Sequence, residues 1–94
     1  MPASGKKEIL VTGAGRGLGR SIAVKLSADG FLVRGCARSE GELQETRRMS
    51  GGRVEISCVD VTSRGQLSAW IKKNTNENSW GLVTAAGIYG AIGR

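Results

Sequence analysis

The sequence predicts a doubly wound α/β fold built on a parallel sheet, and three observations support this prediction. Short, continuous apolar runs have the pattern of strands that are buried on both faces. Segments with apolar residues at helical spacing separate these runs, so that strand and helix alternate three times before a final strand. The connections are short, which favours right-handed crossovers between parallel strands. The 94 residues are enough for one small domain.

The first strand and helix are predicted from the amino-terminal third of the chain. Residues Glu8–Thr12 form a continuous apolar run that stops at a cluster of glycines. In the segment after this cluster, Leu18, Ile22 and Leu26 recur at every fourth position and form one apolar helix face. Gly30 suits the position just after a helix C-terminus, because glycine readily adopts positive φ.

The remaining elements follow from the same two patterns. Residues 31–37 form a second strand, which Gly35 is expected to weaken. Ser39 begins a helix that runs to about Met49, since Glu42 stands three residues later, as in a capping box. A third strand is predicted at 54–59. The helix after it is capped by Thr62 or Ser63 and has Leu67, Trp70 and Ile71 on one face. A polar loop at 74–79 then leads to a fourth strand at 81–85.

Composition and charge exclude several classes of function. The chain has no histidine, and its two cysteines, Cys36 and Cys58, are too few and too far apart for a zinc site. We expect both cysteines to be buried as small hydrophobic residues. The net charge of +6 suits an anionic partner. The basic residues are scattered and the few aromatic residues form no stacking platform, which argues against a nucleic acid.

The sequence also carries no membrane or export signal. No apolar run approaches the ~20 residues that span a membrane. The residues before the first strand lack the small-residue cleavage site of a secretory signal. We therefore expect a cytoplasmic protein with no membrane partner.

The strongest functional signal is Thr-Gly-Ala-Gly-Arg-Gly-Leu-Gly at residues 12–19, between the first strand and the first helix. Its spacing is Gly-x-x-x-Gly-x-Gly rather than Gly-x-Gly-x-x-Gly. Glycines let the chain turn sharply and let backbone N–H groups approach a pyrophosphate, while the helix N-terminus adds free donors and positive potential. The alternative is a tight turn without a ligand. We favour phosphate binding, with Gly13, Gly15, Arg16, Gly17, Leu18 and Gly19 as the candidate residues.

The end of the second strand predicts the type of dinucleotide. Sites that bind NAD carry a carboxylate here, whereas this chain has Arg38 and Ser39. Arg38 can pair with a 2′-phosphate, and Arg16 can reach the same group. One charge-assisted hydrogen bond contributes about 1.5–3 kcal/mol, which favours NADP over NAD by roughly tenfold or more. The alternative is that both arginines are solvated surface charges.

Asp60 follows the third strand, at the ligand side of an open α/β sheet. Its carboxylate can accept a hydrogen bond from the adenine amino group. It can equally help to cap the helix that follows. The sequence leaves these two roles open.

Three motifs together resemble the opening of a short-chain dehydrogenase/reductase of the classical type: residues 12–19, 60–62 and 82–87. The resemblance implies a Rossmann-type fold with strand order 3-2-1-4, a nicotinamide cofactor, and hydride transfer between that cofactor and a carbonyl or alcohol substrate. It implies that basic residues such as Arg16 and Arg38 mark preference for NADP. It further implies that Asp60 and Val61 hold the adenine, and that Ala86 and Gly87, with Ala85 beside them, line the cofactor near the nicotinamide-side ribose.

Two departures from the family pattern bear on activity. Thr84 stands where the family's fourth-strand motif has asparagine, and Tyr89 is followed four residues later by Gly93 instead of lysine. The family's catalytic serine and Tyr-x-x-x-Lys lie beyond Arg94. We therefore expect residues 1–94 to be the N-terminal cofactor-binding part, inactive alone and prone to self-association through an apolar fourth-strand edge. The alternative is a non-catalytic nucleotide-binding or regulatory module.

Overall fold

Seven elements alternate along residues 7–84, the part of the chain that the computed structural model describes. The four strands are parallel and lie in the order β3-β2-β1-β4. The predicted α/β fold and its strand order are therefore confirmed. The elements are β1 (Glu8–Thr12), α1 (Gly17–Ala28), β2 (Leu32–Ala37), α2 (Glu40–Met49), β3 (Glu55–Cys58), α3 (Arg64–Asn74) and β4 (Ser79–Thr84).

Strand β1 separates two apolar layers because its side chains alternate between the two faces of the sheet. All five of its residues are buried, as expected for a central parallel strand. On one face, Ile9 and Val11 pack against α1 and α2. On the other face, Leu10 packs with Trp70 of α3. The remaining buried members are Ala14, Ala23, Val33, Ala37, Leu43 and Val54 in the first layer, and Cys36 and Val59 in the second.

Helix α1 packs on the sheet through small residues instead of the predicted leucine face. Its buried residues are Gly19, Ala23 and Ser27, each one turn apart. Leu18 is 58% exposed, so the prediction that it belongs to the buried face is wrong. Small side chains at this contact let the helix lie close to the strands, and this rotates the larger Leu18 toward solvent.

The helix N-termini match the sequence patterns. The Ser39 hydroxyl accepts a hydrogen bond from the Glu42 N–H at 3.3 Å, which confirms the predicted cap of α2. Ser63, and not Thr62, caps α3, because its hydroxyl accepts from the Gln66 N–H at 3.3 Å. Within residues 7–84, no helix combines the length and apolar content needed to cross a membrane.

The strand boundaries and one cysteine differ from the predictions. β4 begins at Ser79 and not at residue 81, because Ser79 pairs with Glu8 across an irregularity in the ladder. Cys36 is fully buried, and this burial raises the pKa of its thiol to about 12. Cys58 is exposed at the end of the outer strand β3, so the prediction that both cysteines are buried is wrong for Cys58. The two thiols are not joined in a disulfide.

Candidate functional site

The carboxyl ends of the parallel strands form one edge of the sheet, and residues 13–16 lie there between β1 and α1. From β1 the chain first adds β2 and β3 on one side, and then adds β4 on the other side. The direction of winding therefore reverses between β1 and β4. Open α/β sheets bind ligands at the carboxyl edge next to such a reversal. The glycine-rich loop therefore lies where a ligand is expected.

The glycines of this loop meet different geometric requirements. Gly13 and Gly17 have φ of +70° and +59°, a region that other residues rarely adopt. At Gly15, a Cβ atom would lie 3.2 Å from the Cβ of Ala37, so any larger residue would crowd the contact between the loop and the end of β2. Gly19 lies on the buried face of α1. Turn geometry, close packing and helix–sheet contact together account for the spacing of these glycines.

The loop presents unpaired backbone donors. α1 begins at Gly17, its first turn contains no acidic residue, and the side chain of the N-cap residue Arg16 makes no capping bond. The Ala14 N–H donates to the Cys36 carbonyl at 3.0 Å. By contrast, within residues 7–84 no protein acceptor faces the amides of Gly15, Arg16, Gly17, Leu18 and Gly19. Free N–H groups at a helix N-terminus carry partial positive charge, so this row of donors is suited to an anion.

Two exposed arginines lie beside these donors. The Arg16 side chain is 80% exposed, and its Nε is 3.8 Å from a carboxylate oxygen of Glu42. A surface pair of this kind contributes about 1 kcal/mol or less, so it leaves the Arg16 guanidinium available to another anion. Arg38 directly follows β2 and is also exposed. The neighbouring Ser39 uses its hydroxyl to cap α2.

Asp60 organises the turn that precedes α3. One carboxylate oxygen accepts from the Thr62 N–H at 2.9 Å and from the Thr62 hydroxyl at 2.6 Å. The Thr62 hydroxyl and amide lower the pKa of Asp60, and the charge of Arg38 lowers it further. Asp60 therefore stabilises the loop before α3 and does not cap this helix, whose N-cap is Ser63. Its second oxygen accepts no hydrogen bond from residues 7–84, and Val61 packs half-buried beside it.

Comparison with known proteins identifies the family. A family model described as short chain dehydrogenase matches residues 7–93. The chain belongs to the short-chain dehydrogenase family. It is 33% identical over 90 residues to retinol dehydrogenase 5 of Mus musculus, a match that covers 90% of this chain and 28% of that protein. The chain thus spans less than a third of the length of this curated relative.

Solved structures resemble this chain in fold as well as in sequence. Actinorhodin polyketide ketoreductase with NADPH is 31% identical, with a TM-score of 0.69 over 87% of this chain and 33% of that chain. A metagenomic short-chain oxidoreductase in complex with NADP is 28% identical, with a TM-score of 0.68 over 86% of this chain and 39% of that chain. The predicted family and its Rossmann-type fold are confirmed by these matches.

Two side chains that the sequence patterns did not predict, Arg20 and Thr46, hold the glycine loop on the side of α2. We call this pair the loop anchor. The Thr46 hydroxyl lies 2.8 Å from the Ala14 carbonyl, and Arg20 donates to the Gly15 carbonyl. The sequence offered one signal: Thr46 follows Leu43 by three residues and therefore shares its buried face of α2. A polar side chain on such a face needs a hydrogen-bond partner.

The last predicted motif of this family member is only partly described. Thr84 ends β4, is exposed, and pairs in register with Thr12 of β1. The carboxyl edge of β4 is therefore next to the glycine loop. Ala85, Ala86 and Gly87, which were predicted to line the cofactor, lie outside the described residues, as does Tyr89.

Proposed function

We propose that this chain is the cofactor-binding part of an NADP(H)-dependent oxidoreductase that transfers hydride between the nicotinamide and a carbonyl or alcohol substrate. Membership of the short-chain dehydrogenase family supports oxidoreductase chemistry. The observation that carries the nucleotide proposal is the row of amides at residues 15–19, which have no acceptor among residues 7–84 and lie at the carboxyl edge where the winding of the sheet reverses.

The residues of the loop fit a diphosphate in charge and in space. Its donors are backbone N–H groups at the positive end of α1, and the first turn of that helix contains no acidic residue. A Cβ added at Gly17 would meet no atom within 4 Å, so the space in front of this turn is open. We assign the diphosphate to the amides of residues 15–19. The nicotinamide, once bound, supplies or accepts the hydride.

The preference for NADP rests on the two arginines beside the loop. No carboxylate directly follows β2, so nothing at this position repels a 2′-phosphate or binds a free ribose 2′-hydroxyl. Arg16 and Arg38 lie on the loops after the neighbouring strands β1 and β2, and both are exposed. We assign the 2′-phosphate to these two guanidinium groups, with Ser39 at the same corner. The NADP-bound and NADPH-bound relatives are in keeping with this assignment.

The proposal also covers self-association, cellular location and the remaining parts of the cofactor. The exposed β4 residues Trp80 and Leu82, at 61% and 48% exposure, present apolar surface that favours self-association. We further propose a cytoplasmic protein whose residues 1–94 form the cofactor-binding part of the enzyme. The adenine is assigned to Asp60 and Val61, and the nicotinamide-side ribose to Ala85, Ala86 and Gly87.

Titration calorimetry with NADPH and NADH on the 94-residue chain tests this proposal. Wild-type protein should bind NADPH at least about tenfold more tightly than NADH, the ratio expected for one charge-assisted hydrogen bond. Arg38→Asp should abolish that preference. Arg53→Asp is the matched control, because Arg53 is also exposed but precedes β3 at the opposite edge of the sheet. Equal affinity for both nucleotides would refute the role of the arginines, and binding of neither would refute the function.

A further inference from the structure

The loop anchor joins the phosphate-binding loop to α2 through a closed set of hydrogen bonds. Thr46 is fully buried on α2. Its hydroxyl oxygen lies 2.8 Å from the Ala14 carbonyl and 3.0 Å from the Nε of Arg20. One Nη of Arg20 donates both to the Gly15 carbonyl and, at 3.1 Å, to the Glu42 carbonyl. Arg20 and Thr46, which are 26 positions apart in the chain, therefore fix two consecutive peptide units of the loop.

Proton counting determines the direction of these bonds. A threonine hydroxyl has one proton, and the nearest acceptor is the Ala14 carbonyl. The lone pairs of the same oxygen then accept from Arg20, whose guanidinium can only donate. Both N–H groups of one Nη are used by the Gly15 and Glu42 carbonyls. Neither side chain can be exchanged for an apolar one without leaving a buried polar group unpaired.

The anchor also determines where the unpaired amides point. In a trans peptide, the carbonyl of one residue and the N–H of the next point in opposite directions. Thr46 holds the Ala14 carbonyl toward α2, so the Gly15 N–H points away from α2. Arg20 of α1 holds the Gly15 carbonyl toward its guanidinium, so the Arg16 N–H points away from that guanidinium. The two amides thus point away from the groups that hold their peptide carbonyls.

We propose that Thr46 and Arg20 are positioning residues for nucleotide binding: by holding the Ala14 and Gly15 carbonyls, they aim the Gly15 and Arg16 amides at the diphosphate. This inference rests on the proposed function above. Neither side chain needs to touch the nucleotide. Their contribution is that the donors are already oriented before the ligand arrives, so that binding does not have to order the loop.

The experiment compares Thr46→Val, Thr46→Ser and Arg20→Lys with wild type in the 94-residue chain. Valine keeps the size but removes the hydroxyl, serine restores the hydroxyl, and lysine keeps the charge but loses the forked geometry. Thr75→Val is the matched control, because among residues 7–84 the Thr75 hydroxyl bonds only to the Ile71 carbonyl, at 2.6 Å, at the end of α3. Two measurements are made on each variant.

The first measurement is amide exchange by NMR without nucleotide. The Ala14 amide, bonded to Cys36, reports on the loop, and the Val59 amide, bonded to Ala37 at 2.9 Å, reports on the sheet. Thr46→Val and Arg20→Lys should raise the exchange rate of Ala14 relative to Val59 by about tenfold, the effect of losing roughly one hydrogen bond. Global destabilisation would raise both rates equally. Thr46→Ser and Thr75→Val should leave the ratio within about twofold of wild type.

The second measurement is affinity for NADPH and for 2′-AMP, which lacks the diphosphate. Thr46→Val and Arg20→Lys should weaken NADPH binding by about tenfold and 2′-AMP binding by less than about twofold, with rescue by Thr46→Ser. Equal losses for the two ligands, or a serine variant as weak as valine, would overturn the positioning role. An unchanged Ala14-to-Val59 ratio in both Thr46→Val and Arg20→Lys would overturn the anchor itself. Failure of wild type to bind NADPH would instead overturn the proposed function, while the exchange ratio still decides the anchor.

Discussion

The two edges of the sheet differ in whether their polar groups are hydrogen-bonded within the protein. At the amino edge, the buried carboxylate of Glu8 accepts from Arg34 and, at 2.9 Å, from Asn76, while Arg34 also donates to Glu55 at 3.2 Å. At the carboxyl edge, the amides of residues 15–19 have no protein acceptor among residues 7–84. At the amino edge, the charged side chains of Glu8 and Arg34 are paired within the protein. At the carboxyl edge, the backbone donors of the glycine loop are free to bind a ligand. Stability and binding are thereby assigned to opposite ends of the same strands.

Because of this difference, we expect the two edges to respond differently to ligands and to mutations. Glu8 is only 7% exposed, so burying its charge would destabilise the fold without the hydrogen bonds from Arg34 and Asn76. An anion near Glu8 would meet a carboxylate that already accepts from the Arg34 and Asn76 side chains. At the carboxyl edge, an anion gains hydrogen bonds that the protein itself does not make. Substitutions at the first edge should therefore alter unfolding, and substitutions at the second should alter nucleotide affinity.

Breaking the amino edge should have the largest effect on stability. Glu8→Gln removes a buried charge and leaves the Arg34 guanidinium with fewer acceptors, so we expect a loss of about 2–4 kcal/mol in the free energy of unfolding. Urea denaturation followed by circular dichroism measures this loss. Glu45→Gln is the matched control, since Glu45 pairs with Arg48 on an exposed helix surface and should change stability little. NADPH affinity at the opposite edge should be unchanged in both variants.

The effect of Glu8→Gln should also depend on pH with a definite sign. The Asn76 amide, followed by Arg34, lowers the pKa of Glu8 below its ordinary value of 4.5, against the opposing effect of burial. The stability that comes from Glu8 is therefore fully present above pH 4.5 and is lost as the pH falls through the lower folded-state value. The stability difference between wild type and Glu8→Gln should shrink in acid. A difference that stays constant from neutral pH to about pH 3 would contradict the ion-pair explanation.

Gly35 connects the central strands to the glycine loop, and its substitution should have the next largest effect. An added Cβ would lie 2.7 Å from the Cβ of Ala14, a distance that requires β2 or the loop to shift. Gly35→Ala should therefore cost about 1–3 kcal/mol of stability and also weaken NADPH binding. Gly81→Ala is the control, because a Cβ there meets no atom within 4 Å. If Gly35→Ala lowered stability but left NADPH affinity unchanged, the coupling between β2 and the loop would be refuted.

The sequence predicted features that depend on neighbouring residues, and it missed features that depend on distant ones. The Ser39 cap needs only Glu42, three residues away, and was predicted correctly. The contact of Thr46 with Ala14 joins residues 32 positions apart, and no local pattern indicates it. Gly35 was expected to weaken its strand, yet the close approach of Ala14 is what requires a glycine there. Leu18 was placed on the buried face of α1 because periodicity alone cannot show that small residues make the contact.

The smallest expected effect concerns Glu42, which pairs with Arg16 at the carboxyl edge. Here a carboxylate oxygen lies 3.8 Å from the Nε of Arg16, so it would compete with the proposed 2′-phosphate for that guanidinium. Glu42→Gln removes that competition while its backbone N–H still bonds to Ser39. Affinity for NADPH should rise by about threefold or less, and affinity for NADH should not change, because an exposed pair is weak.

Calorimetry at low salt measures this gain, and adding salt should reduce it, because ions screen the exposed pair. Glu40→Gln provides the control, since Glu40 is exposed in the same helix turn but forms its hydrogen bond with Gln44, at 3.3 Å. Equal gains for NADPH and NADH, or an equal gain from Glu40→Gln, would mean that general charge and not the Arg16 pair limits binding. A gain restricted to Glu42→Gln and to NADPH would place Arg16 at the 2′-phosphate. It would also show that the pair between Arg16 and Glu42 lowers the affinity of the carboxyl edge for the nucleotide.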